Sequence, residues 1–382
     1  MTLPTLRAST AHRAAAFALL GASTAVLLSG CGLWRSAEPD EAGRSEPTLA
    51  TSGIAHQVVA EAFITPPSPP DEVDSPTAWL APDRKRWVIS SGKDSHQLLV
   101  HDGETGELIR RVGGKGEAPG QFRRPNGVFA WGDVLFVVER DNRRVQVLSL
   151  PDFRPLSTFG EAELRSPYGL WLHEPEAGRL ELWVTDSFMD GDNFDIVPPL
   201  PQLAQRLRRY TVLVDEDAVS AKFEGSTGDV TEAGALRIVE TIVGDVANGR
   251  LMVAEEHVPT GTGYRMYGIA GEFAGASLGI GDFAAQAEGL ALFACEDGSG
   301  YWIGADQFTD RTLFRVFDRV SLEARGAFAG RATALTDGVW LSMAPSARFP
   351  AGVLYASDRD QSVAAFDWRD IARALELRER CE

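Results

Sequence analysis

The chain has 382 residues, of which 44% are hydrophobic and 24% are charged, and its formal net charge at pH 7 is −17. This length and this composition are typical of a globular protein with a substantial core. The strong negative charge argues against nucleic acid or an anionic membrane surface as the main partner, and it suits a protein that binds cations.

The first thirty residues have the features of an export signal. Arg7 and Arg13 precede an apolar run at residues 14–28, which is too short to span a membrane comfortably. The run ends in Leu-Ser-Gly-Cys31, which resembles the lipobox of bacterial lipoproteins, where the Cys is lipidated and becomes the mature N-terminus. We therefore expect a signal peptide at residues 1–30, lipidation of Cys31, and a cell-envelope protein that contacts the membrane through this anchor alone.

The remainder of the chain divides into a tether and one folded domain. Residues 31–57 are rich in Pro, Ser, Glu and Ala without hydrophobic periodicity, which predicts a disordered tether. Residues 58–382 contain short apolar runs separated by Gly, Asp, Asn and Pro, which predict many short strands, and we expect this domain to be monomeric. Short helices are predicted only at residues 200–208 and 368–378. A disulfide between Cys295 and Cys381 is compatible with export, but the sequence leaves that pairing open.

Six segments of the domain share one pattern. Each begins with a polar residue, usually followed by a small one, and continues with an apolar strand, a turn and a second strand that ends at a polar residue. The segments recur about every 50 residues between about 66 and 370, which is the size of a four-stranded propeller blade. The sequence therefore predicts an all-β, six-bladed β-propeller, with the strand at residues 58–64 completing the last blade. A β-sandwich pair or an irregular β protein is the alternative.

The repeat predicts two rings of side chains around one opening of the propeller. In each blade the innermost strand starts at this opening and the second strand returns to it. The predicted inner ring is Asp74, Asn126, Tyr168, Glu240, Glu288 and Asp337. The predicted outer ring is Lys93, Arg140, Asp186, Glu256, Asp306 and Asp358. Eight of these twelve residues are carboxylates, which raise one another's pKa unless a cation such as Ca²⁺ neutralises them.

The two cationic residues, Lys93 and Arg140, fall in neighbouring blades. An anionic oxygen group between them and bound Ca²⁺ would be neutralised from both sides, which is what phosphoryl chemistry needs. Each acid taken singly is equally compatible with a turn. The four acids at residues 186–195 predict a solvated loop. An extra Ca²⁺ loop is the alternative, although the spacing does not fit an EF-hand.

Several stretches resemble the β-propeller phytases, which are calcium-dependent enzymes that release phosphate from inositol hexakisphosphate. They lie at residues 71–79, 239–256, 288–303, 336–339 and 349–353, and the similarity spans most of residues 66–370. The resemblance implies that one set of residues holds Ca²⁺ or orients water: Asp74, Glu240, Glu256, Glu288, Asp337 and Asp358. It also implies that Lys93, Arg140 and Tyr168 contact the phosphate and act with Glu256 in catalysis.

The chain also departs from the phytase pattern. Ser75 stands where the family has a second Asp, Phe129 stands where it has another acid, and no Lys follows the second strand of blade three. Residues 113–128 resemble an NHL repeat instead. The sequence therefore predicts a calcium-dependent phosphomonoesterase that acts on a phytate-like small molecule. A non-catalytic propeller that binds a ligand or a protein partner in the cell envelope is the alternative.

Overall fold

The computed structural model describes residues 47–215 and 218–381. The predicted signal peptide, Cys31 and the first part of the predicted tether lie outside these residues, so those expectations stay predictions. Within the described ranges, no helix has the length and apolar character needed to cross a membrane.

The fold is a six-bladed β-propeller, as the sequence predicts, with four antiparallel strands in each blade. An N-terminal segment precedes the blades and contains α1 (Leu49–Ser52), β1 (Gln57–Val58) and β2 (Phe63–Ile64). Blade one contains β3 (Val73–Leu80), β4 (Arg86–Gly92), β5 (Gln97–Asp102) and β6 (Leu108–Gly113). Blade two contains β7 (Pro125–Trp131), β8 (Val134–Glu139), β9 (Arg144–Ser149) and β10 (Pro155–Phe159).

Blades three to five follow the same plan. Blade three contains β11 (Pro167–Glu176), β12 (Arg179–Asp186), β13 (Leu207–Val214) and β14 (Val219–Thr227). Blade four contains β15 (Ile242–Asp245), β16 (Arg250–Glu255), β17 (Gly263–Gly268) and β18 (Phe273–Leu278). Blade five contains β19 (Ala287–Ala294), β20 (Gly300–Asp306), β21 (Leu313–Asp318) and β22 (Ala324–Ala329).

Blade six joins the two ends of the domain. It contains β23 (Val339–Ser342), β24 (Val353–Asp358) and β25 (Ser362–Asp367), and β2 is its fourth strand. The prediction that residues 58–64 complete the last blade is confirmed for β2, whereas β1 adds a fifth, parallel strand to blade five. The short helix α2 (Trp368–Ala374) follows β25, and the other predicted helix is a 3-10 helix at Leu200–Gln205.

The middle strands of each blade are buried on both faces, because neighbouring blades pack against them. Every residue of β8 and of β25 is buried. The outer strand β14 instead alternates between partly buried and exposed residues over most of its length. Strands covered on both faces are near-continuous apolar runs, and strands covered on one face alternate. This difference explains why the second strand of each repeat is the easiest to find in the sequence.

The segment that the sequence analysis assigned to the end of the tether packs against blade five instead. Leu49 is buried beside Phe308 and Leu313, and its amide donates to Oδ1 of Asp310 at 2.5 Å. We therefore correct the boundary, because the packed domain includes the residues from Pro47 onwards. The segment is mostly polar, but Leu49 is buried in this cluster and Ile54 packs against it.

A disulfide joins Cys295 in blade five to Cys381 near the C-terminus. The Trp368 ring of α2 stacks on Phe293 of the same blade, with the ring centroids 4.4 Å apart. The pairing that the sequence left open is therefore formed, and it fastens the C-terminal segment to blade five.

Candidate functional site

A backbone irregularity aims the inner-ring side chains at the channel opening, which we call the mouth. The pairing between first and second strands shifts near the start of β3, β7, β11 and β19. The inner-ring residues of these blades, Asp74, Asn126, Tyr168 and Glu288, lie within the shifts. A β-bulge of this kind redirects a side chain, and here it turns a polar residue out of the blade.

The residue after each inner-ring position is small because the innermost strands approach one another closely. These residues are Ser75, Gly127, Gly169, Thr241, Gly289 and Gly338. A Cβ at Gly127 would lie 2.6 Å from the Tyr168 carbonyl oxygen, and one at Gly169 would collide with the Glu240 carbonyl oxygen. Because the innermost strands lie so close together, the six inner-ring side chains that precede these small residues gather around the mouth.

Five inner-ring residues enclose a small cavity, which we call the throat. The throat has a volume of about 30 Å³, and Asp74, Asn126, Tyr168, Glu240 and Asp337 contribute to its lining. Asn126 is only 1% exposed, and neither its Oδ1 nor its Nδ2 has a hydrogen-bond partner within the described chain. A buried amide without a partner is costly, and this volume matches about one water or one ion. The throat therefore has the size and the oxygen donors of a site for a single bound species.

Three predicted metal ligands meet at the mouth. One carboxylate oxygen from each of Glu240, Glu256 and Glu288 lies within 4.8 Å of the others. Glu256 and Glu288 are buried, and Glu240 is half-buried. Carboxylate oxygens are the donors that Ca²⁺ prefers, and Ca²⁺ tolerates flexible geometry. The donor set of this trio, together with the unsatisfied amide of Asn126, therefore fits a hard divalent cation.

Asp337 lies in the most strongly charged part of the throat. Burial raises the pKa of Asp337 well above its usual value, and Asp360, Asp74 and Glu240 raise it further, while Lys93 lowers it. Its Oδ1 accepts a hydrogen bond from Nε2 of Gln307 at 2.6 Å. The sequence analysis missed Asp360, although its position two residues after Asp358 is a signal that could have found it.

The predicted cationic residues also reach the mouth. Nζ of Lys93 lies 3.5 Å from Glu72, 3.7 Å from Asp74 and 3.9 Å from Asp337. Nη1 of Arg140 donates to the hydroxyl of Tyr168 at 3.2 Å. Lys93, Arg140 and Tyr168, which the phytase resemblance assigns to phosphate contact, therefore line one side of the opening.

Four further residues that pair on this side were not predicted: Glu72, Asp94, Arg124 and Asp141. Nη2 of Arg124 donates to Oε1 of Glu72 at 2.8 Å, and its Nη1 donates to Oδ1 of Asp94 at 3.1 Å. Nε of Arg140 similarly pairs with Asp141 at 2.9 Å. Lys93, Arg124 and Arg140 are thus each neutralised by a carboxylate of the chain.

Three predicted outer-ring acids do not face the mouth, and the prediction is corrected for Asp186, Asp306 and Asp358. Each is buried and accepts hydrogen bonds from backbone amides of the loop that enters the innermost strand. Asp186 accepts from Arg165 and Ser166, Asp306 from Ala284 and Ala285, and Asp358 from Ala334. Because its oxygens hold this loop, Asp358 does not join the candidate metal ligands.

The same position is acidic in blades two and four. Glu139 accepts from the amide of Arg123, and Glu255 accepts from the amide of Arg237. Burial raises the pKa of Glu255 to about 7, while the amide donors lower it. We call Glu139, Asp186, Glu255, Asp306 and Asp358 the loop-binding acids.

The outer position at the mouth is one residue later in blades three and five than the sequence analysis placed it. The amides of Arg140, Ser187, Glu256 and Gln307 all donate to the carbonyl two residues before the inner-ring residue of their own blade. Ser187 and Gln307 therefore replace Asp186 and Asp306 at this position. In blade six the amide of Arg359 donates to the carbonyl of Ala334, three residues before Asp337, so the register differs there. A polar residue at the end of a strand can face either the channel or the loop beside it, and the sequence does not show which. The acids were therefore mistaken for mouth residues.

The acidic loop after β12 is separate from the mouth trio. Asp186 is buried, whereas Asp192 and Asp195 are exposed around a bridge between Asp190 and Ile196. The exposed acids agree with the predicted solvated loop.

The channel is apolar on the far side of the small residues. A cavity of about 270 Å³ lies there, and its lining includes Phe129, Trp171 and Trp340. Charged residues are absent from the described lining of this cavity. The polar chemistry of the channel is therefore concentrated at the mouth.

No protein-family model matches the chain, and no curated protein is similar to it at a significant level. Solved propeller structures are similar. One is a nidogen/laminin complex, with 18% identity, a TM-score of 0.46, and 72% of this chain and 86% of that chain covered. Another is the β-propeller domain of Cps50 (Swd1) from Myceliophteria thermophila, with 10% identity, a TM-score of 0.47, and 81% and 99% covered. Hydrazine synthase of Kuenenia stuttgartiensis has 11% identity, a TM-score of 0.42, and 87% and 84% covered.

Proposed function

We propose that the protein is a calcium-dependent phosphomonoester hydrolase of the phytase type, with inositol polyphosphates as its substrate class. One observation carries this proposal: three carboxylates and two cationic side chains lie around the same opening of the channel. Glu240, Glu256 and Glu288 converge there, opposite Lys93 and Arg140. The resemblance of residues 71–79 and 239–256 to the phytases supports the same conclusion.

The trio would hold the cation, and Asn126 and Asp74 would contribute oxygens from the throat. A divalent cation bound there would lower the pKa of a bound water and offset charge on a phosphoryl oxygen. Glu256 would orient the attacking water. Lys93, Arg140 and Tyr168 would bind the phosphoryl oxygens and stabilise the charge that develops on them. Because water is the nucleophile, no covalent enzyme intermediate is expected.

The disulfide between Cys295 and Cys381 supports the proposal that this is an exported, lipid-anchored protein. Disulfides persist in oxidising compartments such as the bacterial periplasm and the cell surface, and they are rare in the cytosol. Phosphorylated small molecules of the cell envelope are then the substrates that reach the mouth.

A specific observation favours the alternative, a non-catalytic binding propeller. The mouth position of blade three is Ser187, whose hydroxyl accepts a hydrogen bond from the Val239 amide at 3.1 Å. The Lys that the phytases have in blade three is missing at this position. A site with fewer cationic contacts grips a polyphosphate less strongly, so ligand binding without hydrolysis is the second candidate.

Glutamine substitution of one trio residue separates the two candidates. Glu288→Gln removes one charge from the trio and keeps the side chain's size, and Glu107→Gln on an exposed turn is the matched control. Under the first candidate, Glu288→Gln lowers the rate of calcium-dependent phosphate release from phytate by at least about 100-fold, while the control keeps it. Phosphate release that is equal in Glu288→Gln and in the unmodified protein would contradict the proposal.

A further inference from the structure

Lys93 is a buried cation that depends on carboxylates around it. Its side chain is 6% exposed, and three carboxylates lie within 4 Å of its ammonium group. A lysine in such a place keeps its charge only when anions neutralise it. Two of those carboxyl groups, Asp74 and Asp337, also line the throat.

Two cations can therefore neutralise the same throat carboxylates: the Lys93 ammonium and a bound divalent cation. A divalent cation bound to Asp74 and Asp337 would lie close to the Lys93 ammonium, and like charges at such a separation repel strongly in a partly buried site. Full occupancy by both cations is unfavourable unless another anion approaches Lys93. The third carboxylate, Glu72, lies outside the throat and is held by Arg124, so it does not move with Asp74 and Asp337.

We propose that Lys93 is an exchangeable counter-ion of the throat. Asp74 and Asp337 release its ammonium when they take a divalent cation, and Lys93 then turns to a phosphate-like anion at the mouth. The flexible stem of a lysine permits this movement, and Glu72 keeps the ammonium on the blade-one side of the opening. The inference rests on the proposed function for the classes of cation and anion, but it adds a coupling between them.

The coupling has a reciprocal consequence. If the cation frees Lys93 for the anion, then the anion must raise the affinity of the protein for the cation by the same factor. A fixed structural ion pair would give no such effect. Removal of the Lys93 charge should therefore strengthen cation binding in the absence of an anion, because the resident competitor is gone, and should weaken the coupling.

The test is calorimetric titration of the full chain with Ca²⁺, with and without methylphosphonate, a phosphate-like anion whose carbon–phosphorus bond is not hydrolysed. Lys93→Met removes the charge at similar length, and Lys93→Arg keeps the charge in case the first variant is unstable. Lys85→Met is the matched control, because Lys85 is an exposed lysine on the turn between β3 and β4. Melting temperatures of all variants establish that they are folded.

We expect methylphosphonate to raise the Ca²⁺ affinity of the unmodified protein at least about fivefold. In Lys93→Met, Ca²⁺ should bind several-fold more tightly without the anion, and the effect of methylphosphonate should fall below about twofold. Lys93→Arg and Lys85→Met should keep the coupling.

Two outcomes would overturn the inference, and they are distinguishable. If the unmodified protein binds Ca²⁺ but Lys93→Met binds it equally or less tightly without the anion, then Lys93 is no competitor for the cation and only this inference fails. If the unmodified protein does not bind Ca²⁺ at all, the proposed function fails with it.

Discussion

Glu255 and Glu256 are neighbours in the sequence, but their carboxylates lie on opposite sides of the end of β16. The Glu255 carboxylate accepts hydrogen bonds from the amides of Arg237 and His257 inside the blade. The Glu256 carboxylate belongs to the trio at the mouth with Glu240 and Glu288. Successive side chains of a strand point to opposite faces, so one acid fixes a loop and the next faces the channel.

Replacing each of these two acids by Gln should affect the stability of the protein differently. Glu255→Gln should lower the free energy of unfolding by about 1–3 kcal/mol, because Gln has one acceptor oxygen where the carboxyl group has two, so one buried amide donor loses its partner. Glu256→Gln should leave stability without Ca²⁺ unchanged or slightly higher, because it relieves repulsion within the trio, and should reduce the rise in melting temperature that Ca²⁺ produces. Denaturant unfolding and melting curves measure both effects. Equal losses of stability without Ca²⁺ in the two variants would contradict this assignment.

Stability at acid pH should depend on His101. Burial, with a contribution from Arg111, lowers the pKa of His101 to about 4, and its ring Nδ1 has no hydrogen-bond partner among the residues that the structure describes. The unfolded chain takes up a proton near pH 6.5, whereas the folded protein does not until about pH 4. The contribution of neutral His101 is therefore complete above pH 6.5 and is lost as the pH falls towards 4, by on the order of 3 kcal/mol.

Urea unfolding of the unmodified protein and of His101→Leu at pH 7 and pH 4.5 isolates this contribution. The carboxylates titrate in both proteins, so the difference between the two proteins reports the contribution of His101. The variant should lose less stability than the unmodified protein between the two pH values. The same loss in both proteins would show that His101 is not the responsible group.

The close approach of the innermost strands predicts a severe effect of a single methyl group. Gly169→Ala places a Cβ against the carbonyl oxygen of Glu240, and neither backbone can move without opening the ring. The substitution should lower the free energy of unfolding by about 2–3 kcal/mol. Thr241→Ala at the equivalent position of blade four is the control, because a Cβ is already accommodated there. A fully stable Gly169→Ala protein would argue against the tight ring.

Loss of the disulfide should destabilise blade five. Cys295 and Cys381 are 86 residues apart in the sequence, so their bond closes a long loop in the unfolded chain. The double variant Cys295→Ser, Cys381→Ser should lose about 2–4 kcal/mol of stability. Melting curves with and without a reducing agent provide the check: the agent should lower the melting temperature of the unmodified protein only. An equal response of the double variant would point to another cause.

The sequence predicted the repeat well because burial on two faces leaves a strong pattern. Apolar runs such as β8 and β24, and the polar-small pair at Glu288 and Gly289, recur with a constant spacing. The inner-ring residues Asp74, Glu240 and Glu288 were found in this way, since each marks the start of an innermost strand.

The outer ring was harder to predict, for a physical reason. A strand end leaves two successive residues on opposite sides, and the sequence does not show which of them faces the channel. Asp306 and Asp358 were therefore taken for mouth residues although they bind backbone amides. Glu72 and Arg124 were missed because their pairing depends on two loops that meet only in the folded ring.

The measurement that tests the central proposal most directly is phosphate release from phytate by the full chain, with millimolar Ca²⁺ and with a chelator. The proposal predicts release with Ca²⁺ and none with the chelator. Absence of release under both conditions, together with a large rise in melting temperature on adding Ca²⁺, would contradict catalysis. It would identify the protein as a metal-stabilised propeller that binds its ligand without hydrolysing it.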